Sequence, residues 1–477
     1  MDWSGLGWLA GSGLGLGAAG GHRCLADVLG ERPLGPSILG VMDRNGADCR
    51  GAAGGASFRG NANDTRNRGD CRVDRGDLLQ PAGRTERSTT DPGPGSAIRI
   101  VAPCGNAEMR RNRDGHAPPA GCAAAGPNEK VPESWPAEEL EAVDRCPLCG
   151  CADRIALHRD LTDRVFFCAP GTWSLYQCGG CEGAYLDPRP TSESIARAYS
   201  SYYTHEPEGE ADTTPNAFGR LKRASHNGYL NAQYNFNLRP AISWSRWAVA
   251  AVPSIRLKRD RMARHLWLER RGARLLDIGC GNGAFVRAAR AWGWDAEGLD
   301  PDPSAAAVGR ATGLPITVGS LPKVGYPDAS FAAVTMSHSI EHLHDPVAGL
   351  HEIRRILQPG GSIWIGTPNL SSTGHKVFGA DWRGLEPPRH LVLFTATTLI
   401  STLFRAGFDQ IRQVRAPFVS QWYFTSSHRI ALAEDPVPTN GSRLSRWLKL
   451  KATIADWQAL LLPKGGEEII IMAKRPL

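Results

Sequence analysis

The run Leu275-Leu276-Asp277-Ile278-Gly279-Cys280-Gly281-Asn282-Gly283 limits what this chain can fold into more than any other feature. An apolar strand here ends in three alternating glycines. Glycine lets the backbone turn tightly and approach a ligand closely, and the helix that follows starts with free N–H groups. A second strand, residues 296–300, ends in Asp300. A dinucleotide loop would show Gly-x-Gly-x-x-Gly; the spacing here is Gly-x-Gly-x-Gly, with an acid two residues before the first glycine. The plainer alternatives are a tight turn for the glycines and a solvated strand end for Asp300.

From Arg274 onward, apolar runs and helical patterns alternate as in a parallel sheet covered by helices. Strands are expected at 275–279, 296–300, 316–319, 331–337, 362–366, 410–416 and 468–473. Helices are expected at 283–291, 304–312 and 395–406, with Gly407 as a stop, and an inserted amphipathic helix at 442–462. Asp345 should cap a further helix with Pro346 at its first position, Leu350, Ile353 and Ile356 on its apolar face and Gly360 at its end.

The glycine loop and the acid that closes the second strand resemble motif I of class I S-adenosylmethionine-dependent methyltransferases. The resemblance implies an α/β Rossmann-like sheet with helices on both faces and S-adenosylmethionine as cofactor. It places Gly279, Gly281 and Gly283 around the amino-acid end of the cofactor, Asp277 near its methionine part and Asp300 on the ribose hydroxyls. Many relatives carry an Asp for the adenine amine after the third strand. This chain has Gly319-Ser320-Leu321 instead, so Ser320 and Leu321 become the adenine-side candidates.

Ligands of a doubly wound sheet sit beyond the carboxyl ends of its strands, so Ser337 and the run His338-Ser339-Ile340-Glu341-His342 should border the transferred methyl group. Methyl transfer is in-line displacement at a sulfonium carbon, and the protein supplies positioning and, where a hydroxyl or carbon must lose a proton, a base. His338 and His342 are candidates because imidazole titrates near neutrality. Packing beneath the loop is the alternative for His342. An insertion containing Trp382, Arg389 and His390 is expected to cover substrate: Trp382 stacking on a ring, Arg389 meeting a phosphate and His390 acting as base. This arrangement resembles a bacterial subgroup of these enzymes associated with cell-surface glycan and sugar modification. The bland alternative is a loop braced by Pro387 and Pro388.

Cys146-Pro147-Leu148-Cys149 and Cys178-Gly179-Gly180-Cys181 are two Cys-x-x-Cys knuckles separated by 28 residues. Paired thiolates on tight turns suit tetrahedral zinc, and four of them leave no open position, so a structural Zn2+ site is expected at Cys146, Cys149, Cys178 and Cys181. Cys151 and Cys168 are spare thiols. With Tyr185, Pro188 and Tyr202-Tyr203, this cysteine-rich zinc module resembles the N-terminal portion of sugar C-methyltransferases.

The expected organisation is a disordered Gly/Ala/Arg-rich extension over 1–132, the zinc module over 140–205, a connector over 206–254 and the cofactor-binding domain over 255–477. The extension holds lone cysteines and little apolar periodicity, as an overlong start-site assignment would also produce. A net charge of +7 over 477 residues is too modest and too dispersed to argue for nucleic acid. No uninterrupted apolar stretch of about 20 residues exists, so no membrane span is expected. The N-terminus lacks a basic region ahead of apolar residues, and the bunched cysteines point to a reducing compartment, so the expected location is cytoplasmic. The acceptor is expected to be a small molecule or glycan, methylated on a sugar or similar hydroxylated group. A quinone-type ring is the second reading, with peripheral membrane contact through basic helices near Arg256 and Lys449. A non-catalytic zinc-containing binding protein is the third.

Overall fold

The computed structural model describes residues 134–200, 216–439, 441–462 and 465–477, all within one unit spanning residues 111–477. The disorder expected for 1–132, its lone cysteines and Tyr202-Tyr203 lie outside the described residues.

The cysteine-rich part contributes β1 (Leu140–Glu141), β2 (Arg154–Leu161), β3 (Trp173–Cys178), β4 (Ala184–Leu186) and β5 (Arg189–Pro190). Helices α1 (Ala217–Tyr234), α2 (Ser245–Ala250) and α3 (Pro253–Met262) follow. The expected connector therefore contains an 18-residue helix, begun by the Asn216 side chain accepting from Gly219 N–H at 2.8 Å. Its polar composition hides it. The core face is small, Ala224 and Gly228, plus Tyr229 and Tyr234, whose hydroxyls donate to the buried Asp260 carboxylate at 2.6 and 2.8 Å.

The main sheet alternates β6 (Arg274–Ile278), α4 (Ala284–Trp292), β7 (Asp295–Asp300), α5 (Pro303–Ala311), β8 (Ile316–Val318), β9 (Phe331–Ser337), α6 (Pro346–Ile356) and β10 (Leu357–Pro368). After α7 (Thr373–Phe378) come β11 (Val392–Leu393), α8 (Ala396–Arg405), β12 (Asp409–Val414), α9 (Ser420–Ala431), α10 (Arg446–Leu461) and β13 (Glu468–Lys474). Seven strands lie in the order β12-β13-β10-β9-β6-β7-β8, parallel except that β13 runs antiparallel to both neighbours. Alternation along β6 builds a core on each face. Leu276 and Ile278 pack with Leu350 and Ile353 of α6, whereas Leu275 packs with Val286 and Ala289 of α4.

Most expected elements fall within a residue or two of the observed ones. Asp345 caps α6, its side chain accepting from Ala348 N–H at 2.9 Å, with Pro346 in the first turn. Gly360 does not end that helix. The chain leaves α6 at Leu357 and enters β10 directly, and Gly360, with φ of +75°, occupies the irregular stretch between the Leu357 and Ser362 pairings. Helix α9 is unannounced in the sequence because Ser420, Thr425, Ser426 and Ser427 are buried in it and break any apolar periodicity. The cysteine-rich part is also not self-contained: β11, from the 381–393 region, completes the sheet β11-β4-β3-β2 by pairing antiparallel with β4.

Candidate active site

Strands β6, β7 and β9 end side by side. The loop after β6 passes through Gly279 (φ +72°), Gly281 (φ +55°) and Gly283 (φ +82°) before α4 begins. Side chains are excluded there twice over. Positive φ disfavours a Cβ, and one on Gly279 would stand 2.5 Å from Ser339 Cβ while one on Gly283 would stand 2.6 Å from Leu314 Cδ1.

The Asp300 carboxylate closes this cradle. It accepts from Gly281 N–H at 2.7 Å and from Asp302 N–H at 3.0 Å, and its burial raises its pKa despite those amides. A carboxylate offers about four acceptor positions, so two remain, the number a ribose diol requires. Gly319 N–H donates to Asp300 O at 2.9 Å, which brings the Ser320 turn beside β7. Ser320 itself is exposed, while Leu321 is buried against Leu343 and Gly349.

Asp277 is held within the protein through one carboxylate oxygen, Oδ1. Its carboxylate forms an ion pair with Arg264 and accepts from Thr335 Oγ1 at 2.8 Å. The Arg264 guanidinium lies 3.4 Å from the Phe285 ring centroid, at the start of α4, so the pair joins the first motif acid to the helix that carries the loop. Nothing in the sequence singles out Arg264 among its basic neighbours.

The three histidine candidates occupy different chemical situations. His338 lies between Glu341 and Glu468, each 3.4 Å away. Burial opposes its charge, but the two carboxylates prevail and raise its pKa to about 9. The two carboxylates favour its imidazolium form at neutral pH, which has no lone pair to take a proton. His390 is buried, and burial holds its pKa at about 4; its Nδ1 donates to Gly384 O at 2.8 Å. His342 is half-buried. Its Nδ1 is 2.9 Å from both Arg389 O and the Tyr199 hydroxyl; donation to the carbonyl fixes the tautomer with an unprotonated Nε2. The His342 and His390 rings meet edge to face at 4.9 Å, beside Glu341, whose other oxygen accepts from Thr367 Oγ1 at 2.9 Å. Tyr199 and Glu468 carry no sequence motif, yet both help to shape this cluster.

The 381–391 insertion is not an open lid. Trp382 is 1% exposed and donates through Nε1 to Glu467 at 3.1 Å, so its faces are not available to a sugar ring. The acid it meets, Glu467, is pushed up to about 7 by burial. Arg389 is wholly buried. It pairs with Asp163 from the cysteine-rich part and with Glu386 at 3.1 Å, and donates to Ala198 O at 2.8 Å. These contacts replace the expected phosphate. The insertion is the bolt between the two parts of the molecule, and through its own carbonyl Arg389 orients His342.

Cys146, Cys149, Cys178 and Cys181 converge, with Sγ atoms within 4.8 Å of one another and closest pairs at 3.5 and 3.7 Å. Tetrahedral zinc with bonds of about 2.3 Å would hold its sulfurs about 3.8 Å apart, so the donor set fits that ion. Cys151 and Cys168 stand outside the group. Helix α8 clamps both knuckles: Thr398 Oγ1 donates to Cys181 O and Arg405 Nη2 to Leu148 O, each at 2.6 Å.

Comparison with known proteins places this geometry in a class. A family profile described as a methyltransferase domain matches residues 253–413, from the start of α3 into β12. A ubiquinone biosynthesis O-methyltransferase of Xanthomonas oryzae pv. oryzae is 28% identical over 167 residues, 32% of this chain and 70% of that protein. A malonyl-[acyl-carrier protein] O-methyltransferase of Serratia marcescens is 31% identical over 166 residues, 34% of this chain and 64% of that protein. Among solved structures, a phosphoethanolamine N-methyltransferase 2 of Haemonchus contortus with S-adenosylmethionine is 17% identical, with a TM-score of 0.34 over 62% of this chain and 63% of that one. The central region is a class I S-adenosylmethionine-dependent methyltransferase domain with a mixed seven-stranded sheet, and the chain is a methyltransferase that uses this cofactor.

Proposed function

We propose that the chain transfers a methyl group from S-adenosylmethionine to a hydroxyl oxygen of a sugar, glycan or similar small acceptor, with His342 as the base. The observation that carries this reading is the set of three imidazoles. His338 lies between two carboxylates that hold it protonated and His390 is buried and neutral, whereas half-buried His342 donates through Nδ1 to Arg389 O, which in the neutral ring leaves Nε2 as the acceptor. The Gly279–Gly283 cradle and Asp300 would hold the cofactor, which supplies an activated sulfonium methyl. The acceptor hydroxyl would approach beyond β9 and release its proton to His342 as its oxygen attacks. The carbonyl of Arg389 keeps the imidazole oriented throughout. Protonated His338 adds positive charge beside the acidic pair Glu341 and Glu468, limiting the field that would otherwise oppose an oxyanion.

A quinone-type ring is the second reading, favoured by the names of relatives such as the Xanthomonas ubiquinone biosynthesis O-methyltransferase. Both readings place a hydroxyl at the same base. We also assign a structural Zn2+ to the four cysteines, where it would join the knuckles that α8 clamps. Metal content near one zinc per chain supports that assignment, and protein purified without chelator that contains none contradicts it.

The test is transfer of radiolabelled methyl from S-adenosylmethionine to a panel of sugars, nucleotide sugars, lipid-linked glycans and catechol-type quinone precursors. A hydroxylated acceptor labelled by the native chain, with kcat at least about 100-fold lower for His342→Ala, supports the reading. An accepted substrate turned over equally well by His342→Ala contradicts the assigned base.

A further inference from the structure

Helix α10 is mounted with its large apolar side chains turned outward. Trp447, Leu450, Ile454, Trp457 and Leu461 recur at helical spacing and form one stripe, with exposures from 45% at Ile454 to 68% at Leu461. The opposite face, Ala452, Ala455 and Ala459, is small and buried, with Ala452 and Ala455 packing near Phe424 of α9. Burying the small face and exposing the large one forgoes apolar burial that a reversed helix would gain. Contiguous exposed apolar surface of this kind marks a contact site.

The charges around the stripe select the occupant. Arg446 and Lys451 flank it on either side, with Arg443 and Lys449 exposed or nearly so around the same end, and Lys451 Nζ lies 5.3 Å from the Trp447 ring centroid. Asp456 is the sole acid of the helix. It faces inward, accepting from Phe418 N–H at 2.8 Å and Ser420 N–H at 3.1 Å. A second copy docked through this face about a two-fold axis would offer these cations no carboxylate from its own α10, whose one acid is turned inward. An anionic lipid surface answers both features: phosphodiester headgroups meet the cations, and tryptophans at intervals along the stripe sit where their amphipathic rings prefer to be. With 16 residues, and no described helix long and apolar enough to cross a membrane, α10 is suited to lie in the interface.

We propose that α10 docks this chain on an anionic bilayer, with Trp447, Leu450, Ile454, Trp457 and Leu461 seated among the headgroups. The docking surface is independent of the acceptor assigned above.

The experiment is vesicle flotation with the full chain, using phosphatidylglycerol mixed with phosphatidylcholine and, separately, phosphatidylcholine alone. The expected result is flotation with the anionic vesicles, weakened by salt and by Lys451→Glu, and at least about tenfold weaker for the double variant Trp447→Ser, Trp457→Ser. Both tryptophans are exposed, so S-adenosylmethionine binding by the double variant should equal that of the native chain, which separates loss of docking from loss of fold. The proposal is overturned by no flotation of the native chain or by flotation unchanged in the double variant. It is equally overturned if the control pair Trp244→Ser, Trp247→Ser, exposed on and beside α2, abolishes flotation instead. A dimer seen in sedimentation that disappears with the α10 tryptophans would assign the stripe to a second copy and overturn it as well.

Discussion

The glycine loop and the 381–391 insertion both lie near the carboxyl ends of the strands, yet they are built on opposite principles. The loop is defined by backbone. Positive φ at three glycines, close packing of Gly279 on Ser339 and of Gly283 on Leu314, and an amide on Asp300 set its shape. The insertion is defined by side chains that already satisfy one another: Arg389 with Asp163 and Glu386, and Trp382 with Glu467. A motif written in backbone conformation carries its meaning locally. Arg389 pairs with a residue 226 positions away, and no local pattern announces that.

The largest effect should follow from breaking the insertion. Arg389→Ala leaves the buried Asp163 carboxylate without its cation, while Glu386 keeps Arg383, and denaturant unfolding should show a loss of about 3–5 kcal/mol. A phosphate-binding Arg389 would instead lower acceptor affinity and leave stability nearly intact, so this variant decides between the two roles.

His342 stands where the two regions meet. Replacing it should lower kcat by about 100-fold or more. His390→Ala removes the ring packed against it, so its effect should appear mainly in stability.

A smaller and graded effect is expected from pH. The His338 pKa is raised from 6.5 to about 9, so its stabilisation is complete below pH 6.5 and is lost as pH rises through 9. Unfolding free energy should fall across that window by up to about 3 kcal/mol, and His338→Gln should flatten the fall. His390 works in the other direction: with its pKa lowered to about 4, its contribution is lost as pH falls from 6.5 towards 4. The smallest effect belongs to Ser320→Ala. Ser320 is exposed beside the cradle, and calorimetry should register less than about 1 kcal/mol of cofactor affinity.

The same division explains how much the sequence discloses. Strands β6, β7 and β9, the cap at Asp345 and the four convergent cysteines are readable because each rests on local chemistry: apolar runs, a side-chain acceptor three residues before an amide, paired thiols on turns. Helix α9 is unreadable because its buried face is hydroxylated, and α1 because its buried face is small and phenolic. The catalytic candidates were named by type, but their roles depend on neighbours. His338 is favoured as a cation by Glu341 close in sequence and by Glu468, 130 positions away, which returns beside it on β13. Arg264, Tyr199 and Asp163 stayed hidden for the same reason.

The central claim is that the backbone cradle closed by Asp300 is a cofactor site. Isothermal titration of the folded chain with S-adenosylmethionine tests it most directly, alongside Asp300→Ala. The account predicts saturable binding by the native chain and at least about tenfold weaker binding by the variant, the loss expected when a charged acceptor of two hydroxyls is removed. Equal affinities for the two proteins, or no heat of binding from folded native chain, would contradict it.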